Sequence, residues 1–156
     1  PPEKVFAVHG DPEAVEAMQS DGLVEVSKEP WLTFSPTQTA SDIGFIFYPG
    51  GRIDPQGYAP LMRAIASEGY LAVVPEMPLN IAAFRPNLAA KIIAAHPEID
   101  RWVISGHSVG GAMAAQYTHT HGENIAGLVI WASYPRSRES DFELAYSKSY
   151  AILLTH

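Results

Sequence analysis

Residues 102–111 carry the strongest structural signal in this chain, with the sequence WVISGHSVGG. The apolar run from Trp102 to Ser105 predicts a buried strand, and the residues from Val109 onward have the apolar spacing of a helix. Between them lies the pattern G-x-S-x-G, centred on Ser108. A serine in such a strand-to-helix turn has a strained backbone, and glycines two places before and after it let strand and helix approach. We therefore predict that Ser108 is a nucleophile.

Other glycine-rich motifs do not fit these residues. A dinucleotide-binding G-x-G-x-x-G would need glycine at position 108, and a P-loop would need lysine where Ala112 follows Gly111. Helix N-termini attract anions in general, so phosphate binding without catalysis stays open as an alternative for this turn.

A second informative stretch, Pro-Gly-Gly at residues 49–51, follows the apolar run from Ile43 to Tyr48. Where a G-x-S-x-G serine attacks a carbonyl, the oxyanion is held by the N–H after the serine and by another N–H from such a loop. We predict Val109 and Gly51 as these donors, with Gly50 as the next candidate. An ordinary turn is the alternative.

Apolar runs alternate with helical patterns through most of the chain. Five runs predict strands that start 23 to 31 residues apart, a spacing that fits βα units: Ile43–Tyr48, Leu71–Val74, Trp102–Ser105, Ile125–Ala132 and Tyr150–Leu154. Three helical faces are predicted between them: Leu61, Met62 and Ile65; Leu88, Ile92 and Ala95; and Val109, Met113 and Tyr117. The pattern predicts an α/β fold with a mostly parallel sheet flanked by helices on both faces.

The residues before this series predict two smaller elements. Asp11-Pro12 has the residues of a helix start, so a short helix is expected to run to Gln19. Leu23–Ser27 and Trp31–Ser35 then predict a strand hairpin. We expect residues 1–156 to form a single domain.

Length and composition limit the classes of function. The chain has 156 residues, of which 47% are apolar and 17% charged, which suffices for one domain with a core. Its net charge of -7 disfavours nucleic acid and anionic membranes as partners. It has no cysteine, which excludes disulfides, thiolate metal sites and a cysteine nucleophile.

The apolar runs are far shorter than the roughly 20 residues of a transmembrane helix, so no membrane span is predicted. The chain begins at Pro1-Pro2 without a methionine or a basic-then-apolar leader. This suggests a processed start, so export by a removed leader stays open and no compartment is predicted.

Five segments carry a resemblance to a known family: FYPGG at 47–51, YAPL at 58–61, VPEMPLN at 74–80, GHSVGG at 106–111 and WASYP at 131–135. Together they resemble a small bacterial α/β-hydrolase family related to dienelactone hydrolases, over roughly residues 23–135. The resemblance implies an α/β-hydrolase fold with eight strands or fewer and a Ser-acid-His triad. It implies no metal and no organic cofactor.

The chain departs from that family after Pro135. In the family the acid and then the histidine follow the serine in sequence, after strands for which this chain has little room, since Tyr150–Leu154 is followed only by Thr155 and His156. We therefore expect a fold that is C-terminally incomplete or altered, with an apolar edge that favours self-association. A compact triad of Ser108 with Asp141 and His156 is the alternative.

The other ionisable residues are predicted to be structural. His107 is expected to pack within the turn, and His96, His119 and His121 lie at predicted helix ends. His119 and His121 lack the four-residue spacing of paired helical metal ligands. Glu76 is predicted to be a solvated carboxylate bordering the site.

The leading hypothesis is a serine hydrolase that cleaves a small-molecule carboxylic ester through an acyl-enzyme intermediate on Ser108. Tyr48, Trp131 and Tyr134 lie at the carboxyl ends of predicted strands and are predicted to line an apolar acyl pocket. The competing hypothesis is a catalytically incomplete protein of the same fold that binds a ligand or partner without turnover.

Overall fold

The computed structural model describes residues 11–77 and 88–131, together with the backbone of residues 151–155. The strands in these ranges are β1 (Val24–Ser27), β2 (Leu32–Pro36), β3 (Ile43–Tyr48), β4 (Leu71–Val74), β5 (Arg101–His107), β6 (Ile125–Trp131) and β7 (Ala151–Thr155). The α-helices there are α1 (Pro12–Ala17), α2 (Ala59–Ser67), α3 (Leu88–Ala95) and α4 (Val109–Thr120). Short 3-10 helices span Pro55–Tyr58 and Gly122–Asn124. No helix in these ranges has the length and apolar character to span a bilayer.

The strands form one sheet in the order β1-β2-β4-β3-β5-β6-β7. Strands β4, β3, β5, β6 and β7 are parallel to one another. Strand β2 is antiparallel to both β1 and β4, so the predicted hairpin forms one edge of the sheet. The predicted α/β class, with a mostly parallel sheet, is confirmed.

Side chains of the central strands alternate between two cores, one on each face of the sheet. In β3, Phe45 and Phe47 pack with α1 and α2, whereas Ile46 and Tyr48 pack with α3 and α4. This alternation follows from the two-residue period of a strand. Helices therefore cover both faces, as the sequence predicts.

The predicted face of α3 is wrong at one position. Leu88, Ala89 and Ile92 are buried against the sheet, but Ala95 is exposed. The helix ends at Ala95, and Ile99 in the following loop contributes to the core instead.

The strand order creates a crevice between β3 and β5. The chain passes from β3 to β4 on one side of β3, then crosses back to β5 on its other side. In open α/β sheets, ligands bind outside the carboxyl ends of the strands at such a reversal. The register pairs Tyr48 with Gly106, so both strands end side by side. The residues that follow them, 49–52 and 107–109, are brought to this crevice.

Candidate active site

Ser108 occupies the turn between β5 and α4 at the carboxyl edge of the sheet. Its backbone has φ 54° and ψ -123°, a conformation that residues other than glycine rarely adopt and that costs about 1–3 kcal/mol. The Ser108 N–H donates to the Trp131 carbonyl oxygen at 3.0 Å, and the Gly111 N–H donates to the Ser108 carbonyl oxygen at 3.0 Å. The residue is exposed. The turn therefore presents Ser108 to solvent beside the crevice.

Gly106 and Gly110 allow the backbone contacts that form this turn. A Cβ atom on Gly106 would lie 2.7 Å from the Gly111 nitrogen and closer still to the Gly110 backbone. A Cβ atom on Gly110 would overlap the carbonyl oxygens of Tyr48 and Pro49. Helix α4 thus begins in direct contact with the ends of both β5 and β3, which is the close approach that the G-x-S-x-G pattern predicts.

Gly51 and Val109, the two residues predicted as oxyanion donors, are neighbours in the structure. A Cβ atom on Gly51 would lie 3.4 Å from Val109 Cγ1. Gly51 is exposed and Val109 half-buried. The loop turns sharply here, because Arg52 has φ 61° and the Ile53 N–H donates to the Gly50 carbonyl oxygen at 3.3 Å. The fold brings the loop after β3 to the start of α4.

Gly50, the next candidate donor, has its N–H engaged by a side chain. This N–H donates to the Tyr58 hydroxyl at 2.8 Å, and the same hydroxyl lies 3.2 Å from His107 Nδ1. Burial raises the pKa of Tyr58 to about 12, although the hydrogen bond from Gly50 acts in the opposite direction. Burial also lowers the pKa of His107 below its ordinary value of 6.5. At neutral pH the phenol is protonated and the imidazole is neutral.

Sequence reasoning placed Tyr58 in the motif segment 58–61 but gave its hydroxyl no role. The residues around a tyrosine in the sequence show no sign of what its hydroxyl contacts. One signal was present: Asp54-Pro55 predicts a short helical turn that ends at Tyr58, and the Asp54 carboxylate does accept a hydrogen bond from the Gln56 N–H.

The predicted acyl-pocket residues are placed differently. Tyr48 is fully buried, and its hydroxyl accepts a hydrogen bond from the Ala89 N–H at 3.1 Å. Burial raises the pKa of Tyr48 well above its ordinary value. A pocket-lining role is wrong for Tyr48, because strand alternation turns it toward the core beneath α3. Trp131 is half-buried, with its ring centroid 5.4 Å from that of Phe47.

Three predicted site residues, Tyr134, Asp141 and His156, lie outside the residues that the structure describes. The structure therefore brings together Ser108 and the two oxyanion candidates, while the acid and the histidine remain predictions.

Two of the histidines predicted to be structural, His96 and His121, have local contacts. His96 Nδ1 lies 2.9 Å from Glu98 Oε1 just beyond the end of α3. The His121 ring stacks on Tyr117 at the end of α4, with centroids 4.3 Å apart. Glu76 is exposed beyond the end of β4. Within the described ranges, no three His, Cys, Asp or Glu side chains are grouped as a metal site.

A comparison with protein families matches the part of the chain that carries this site. The model of the alpha/beta hydrolase family matches residues 44–155, from the second residue of β3 to the end of β7, and this range includes Gly51, Ser108 and Val109. A comparison with curated proteins finds no match.

Several solved structures share the fold. A metagenome-derived lipolytic enzyme is 22% identical at a TM-score of 0.52, over 67% of this chain and 47% of its own. A hormone-sensitive lipase from a metagenome library is 19% identical, with a TM-score of 0.56, and the match covers 85% of this chain and 53% of the lipase. A bacterial heroin esterase is 18% identical, with a TM-score of 0.55, and the match covers 88% of this chain and 58% of the esterase. At these identities the likeness concerns the fold, and the chain spans about half the length of these proteins.

Proposed function

The chain belongs to the alpha/beta hydrolase family, and on that premise we propose that it is a serine hydrolase that cleaves carboxylic esters through an acyl-enzyme on Ser108. The observation that carries the proposal is the backbone of Ser108, an exposed residue with φ 54° between a strand and a helix. In α/β-hydrolases the nucleophile occupies this strained elbow, with its hydroxyl at the top of the sheet.

The proposed reaction has two halves. The Ser108 hydroxyl oxygen attacks the ester carbonyl carbon while a base takes its proton, and the tetrahedral intermediate then expels the alcohol, which receives that proton. Water attacks the acyl-enzyme in the same way and releases the acid. Asp141 and His156 follow Ser108 in the order that the family requires, and a compact triad built from them stays the alternative for the acid and the base.

We assign the oxyanion to the N–H groups of Val109 and Gly51. Gly51 is favoured over Gly50 because the Gly50 N–H already donates to the Tyr58 hydroxyl. The 3.4 Å approach between a Gly51 Cβ position and Val109 Cγ1 supports this assignment, because it shows that the two residues are neighbours. Such amides stabilise the negative charge that develops in the transition state.

The acyl group is proposed to lie in the crevice between β3 and β5, where Trp131 is the described aromatic candidate for contact with it. The five motif segments of the sequence further suggest a relation to dienelactone hydrolases. We retain this relation as a prediction, and the substrate class that we propose is a small carboxylic ester.

A fluorophosphonate probe tests the proposal on the intact protein. Such probes react with activated serines, so we expect one adduct, mapped to Ser108, and hydrolysis of p-nitrophenyl acetate that falls to background in Ser108→Ala. Ser105→Ala is the matched control, because Ser105 is fully buried and its hydroxyl donates to the Ile46 carbonyl oxygen at 2.9 Å. This control should keep the label.

An adduct on another serine would contradict the assignment of Ser108. A protein that binds small esters yet takes up no label and releases no product would support the competing hypothesis of binding without turnover.

A further inference from the structure

The two oxyanion candidates lie just beyond the point where backbone pairing ends. The ladder between β3 and β5 runs from Ile43 and Arg101 to Tyr48 and Gly106. After that pair the loop 49–52 leaves β3, whereas β5 continues for one more residue, His107, which pairs with Trp131 of β6 before the turn at Ser108. Donors in such a site must be held within about 0.5 Å of their productive positions. Contacts beyond the ladder set the distance between loop and turn, among them the approach of Gly110 to the carbonyl oxygens of Tyr48 and Pro49.

The Tyr58 hydroxyl lies between these two segments. It accepts a hydrogen bond from the Gly50 N–H at 2.8 Å in the loop and lies 3.2 Å from His107 Nδ1 in the turn. A phenol has a single hydrogen to donate. The Tyr58 oxygen accepts the hydrogen bond from the Gly50 N–H. The hydroxyl hydrogen is therefore available for donation to Nδ1 of a neutral His107 imidazole.

Packing around Tyr58 holds this hydroxyl in place. Tyr58 ends the 3-10 helix Pro55–Tyr58 and is fully buried. Its ring centroid lies 4.6 Å from that of Phe47 in β3. The absence of a side chain on Gly50 is also required, because a Cβ atom there would lie 2.7 Å from His107 Nδ1 and 3.1 Å from the Tyr58 oxygen.

We propose that Tyr58 and His107 are positioning residues, and that the hydrogen-bonded bridge from Gly50 through Tyr58 to His107 sets the spacing between the amides of Gly51 and Val109. The inference rests on the proposed function and deepens it, because it assigns the alignment of the oxyanion donors to residues outside the triad. Tyr58 and His107 act through the neighbours of the donors and touch no substrate in this scheme.

The first test removes the hydroxyl alone. In Tyr58→Phe the loop and the turn lose their link while the ring stays in the core, so we expect kcat to fall about tenfold or more with KM within about twofold. Tyr70→Phe is the matched control, because Tyr70 is exposed and immediately precedes β4. It therefore lies at the amino ends of the parallel strands, away from the carboxyl ends that carry the site. This variant should keep both constants.

The second test exchanges the acceptor. His107→Leu should lower kcat as Tyr58→Phe does, whereas His107→Asn should restore most of it, since an amide oxygen can replace Nδ1 as an acceptor. The double variant Tyr58→Phe/His107→Leu should lose no more than about the larger single loss, because both changes break one bridge. Thermal unfolding of each variant checks that it is folded.

Two further outcomes would overturn the bridge: a wild-type kcat in Tyr58→Phe, or single losses that multiply in the double variant. If the proposed function itself is wrong, the wild-type protein takes up no fluorophosphonate label and hydrolyses no ester. In that case the imidazole ¹⁵N shifts and the exchange rate of the Gly50 amide report on the bridge directly. An Nδ1 shift that Tyr58→Phe leaves unchanged would overturn it.

Discussion

Ser108 combines an unfavourable backbone conformation with hydrogen bonds to two neighbouring elements. Its N–H donates to the carbonyl oxygen of Trp131, the last residue of β6, and its carbonyl oxygen accepts hydrogen bonds from the N–H groups of Gly111 and Ala112 in α4. Strain of this kind persists only where the surroundings over-determine the position. The strained residue is also the exposed serine of the motif, which is the combination expected of a nucleophile held for attack.

Gly51 gives a test of the oxyanion assignment at the level of one residue. In Gly51→Val the branched side chain would extend into the space next to Val109 Cγ1 and displace the loop amide. Loss of such a donor costs about 2.7 kcal/mol or more, so we expect kcat to fall roughly 100-fold while KM changes little. Steady-state kinetics with p-nitrophenyl esters measure both constants.

Gly51→Ala is the control for that change. Its Cβ atom would meet Val109 Cγ1 at 3.4 Å, an ordinary contact distance, so most of kcat should remain. If Gly51→Val raised KM as much as it lowered kcat, the residue would contact the bound ester in its ground state, and the oxyanion assignment would be wrong.

The start of α4 depends on contact between backbones of different elements. Gly110 lies against the carbonyl oxygens of Tyr48 and Pro49 at the end of β3. Those atoms belong to the backbone and cannot move aside as a side chain could. We therefore expect Gly110→Ala to lower the free energy of unfolding by about 1–3 kcal/mol, measured by urea denaturation.

Gly22→Ala serves as the control at this scale, since nothing lies within 4 Å of a Cβ atom on Gly22. It should change the free energy of unfolding by less than about 0.5 kcal/mol. Equal stability of the two variants would mean that α4 can shift away from β3 without cost, and that the elbow is not held by this contact.

Over the whole molecule, residues that precede the family match complete one of the two cores. Strand β2 pairs with β4, and the fully buried Phe34 shares a cluster with Phe45, Phe47 and Met62. The family match begins only at residue 44. The N-terminal elements are thus built into the same sheet and core as the candidate site.

Phe34→Ala should therefore destabilise the domain as a unit. We expect the free energy of unfolding to fall by about 3–5 kcal/mol, and the slow amides of β5 to exchange faster by the corresponding factor. Leu23→Ala, at a residue 55% exposed, is the control and should have little effect. If β5 exchange were unchanged in Phe34→Ala, the N-terminal elements would unfold separately from the site.

Local patterns were sufficient to predict most elements and the turn at Ser108. The apolar runs predict β3 and β4 at their observed bounds, and G-x-S-x-G predicts the turn at Ser108 together with its two close glycines. These predictions succeed because side-chain periodicity and backbone crowding act between residues near one another in sequence. The self-association expected at an apolar edge, and the roles of Asp141 and His156, stay predictions.

The arrangement of those elements required long-range contacts. The reversal of strand order around β3 places Gly51 beside Val109, and strand alternation buries Tyr48, which the sequence had suggested for a pocket. The bridge from Tyr58 to His107 joins residues 49 positions apart. The partner of a buried hydroxyl depends on which strands become neighbours in the sheet. The packing of both cores decides the order of the strands, so a local sequence pattern cannot predict that partner.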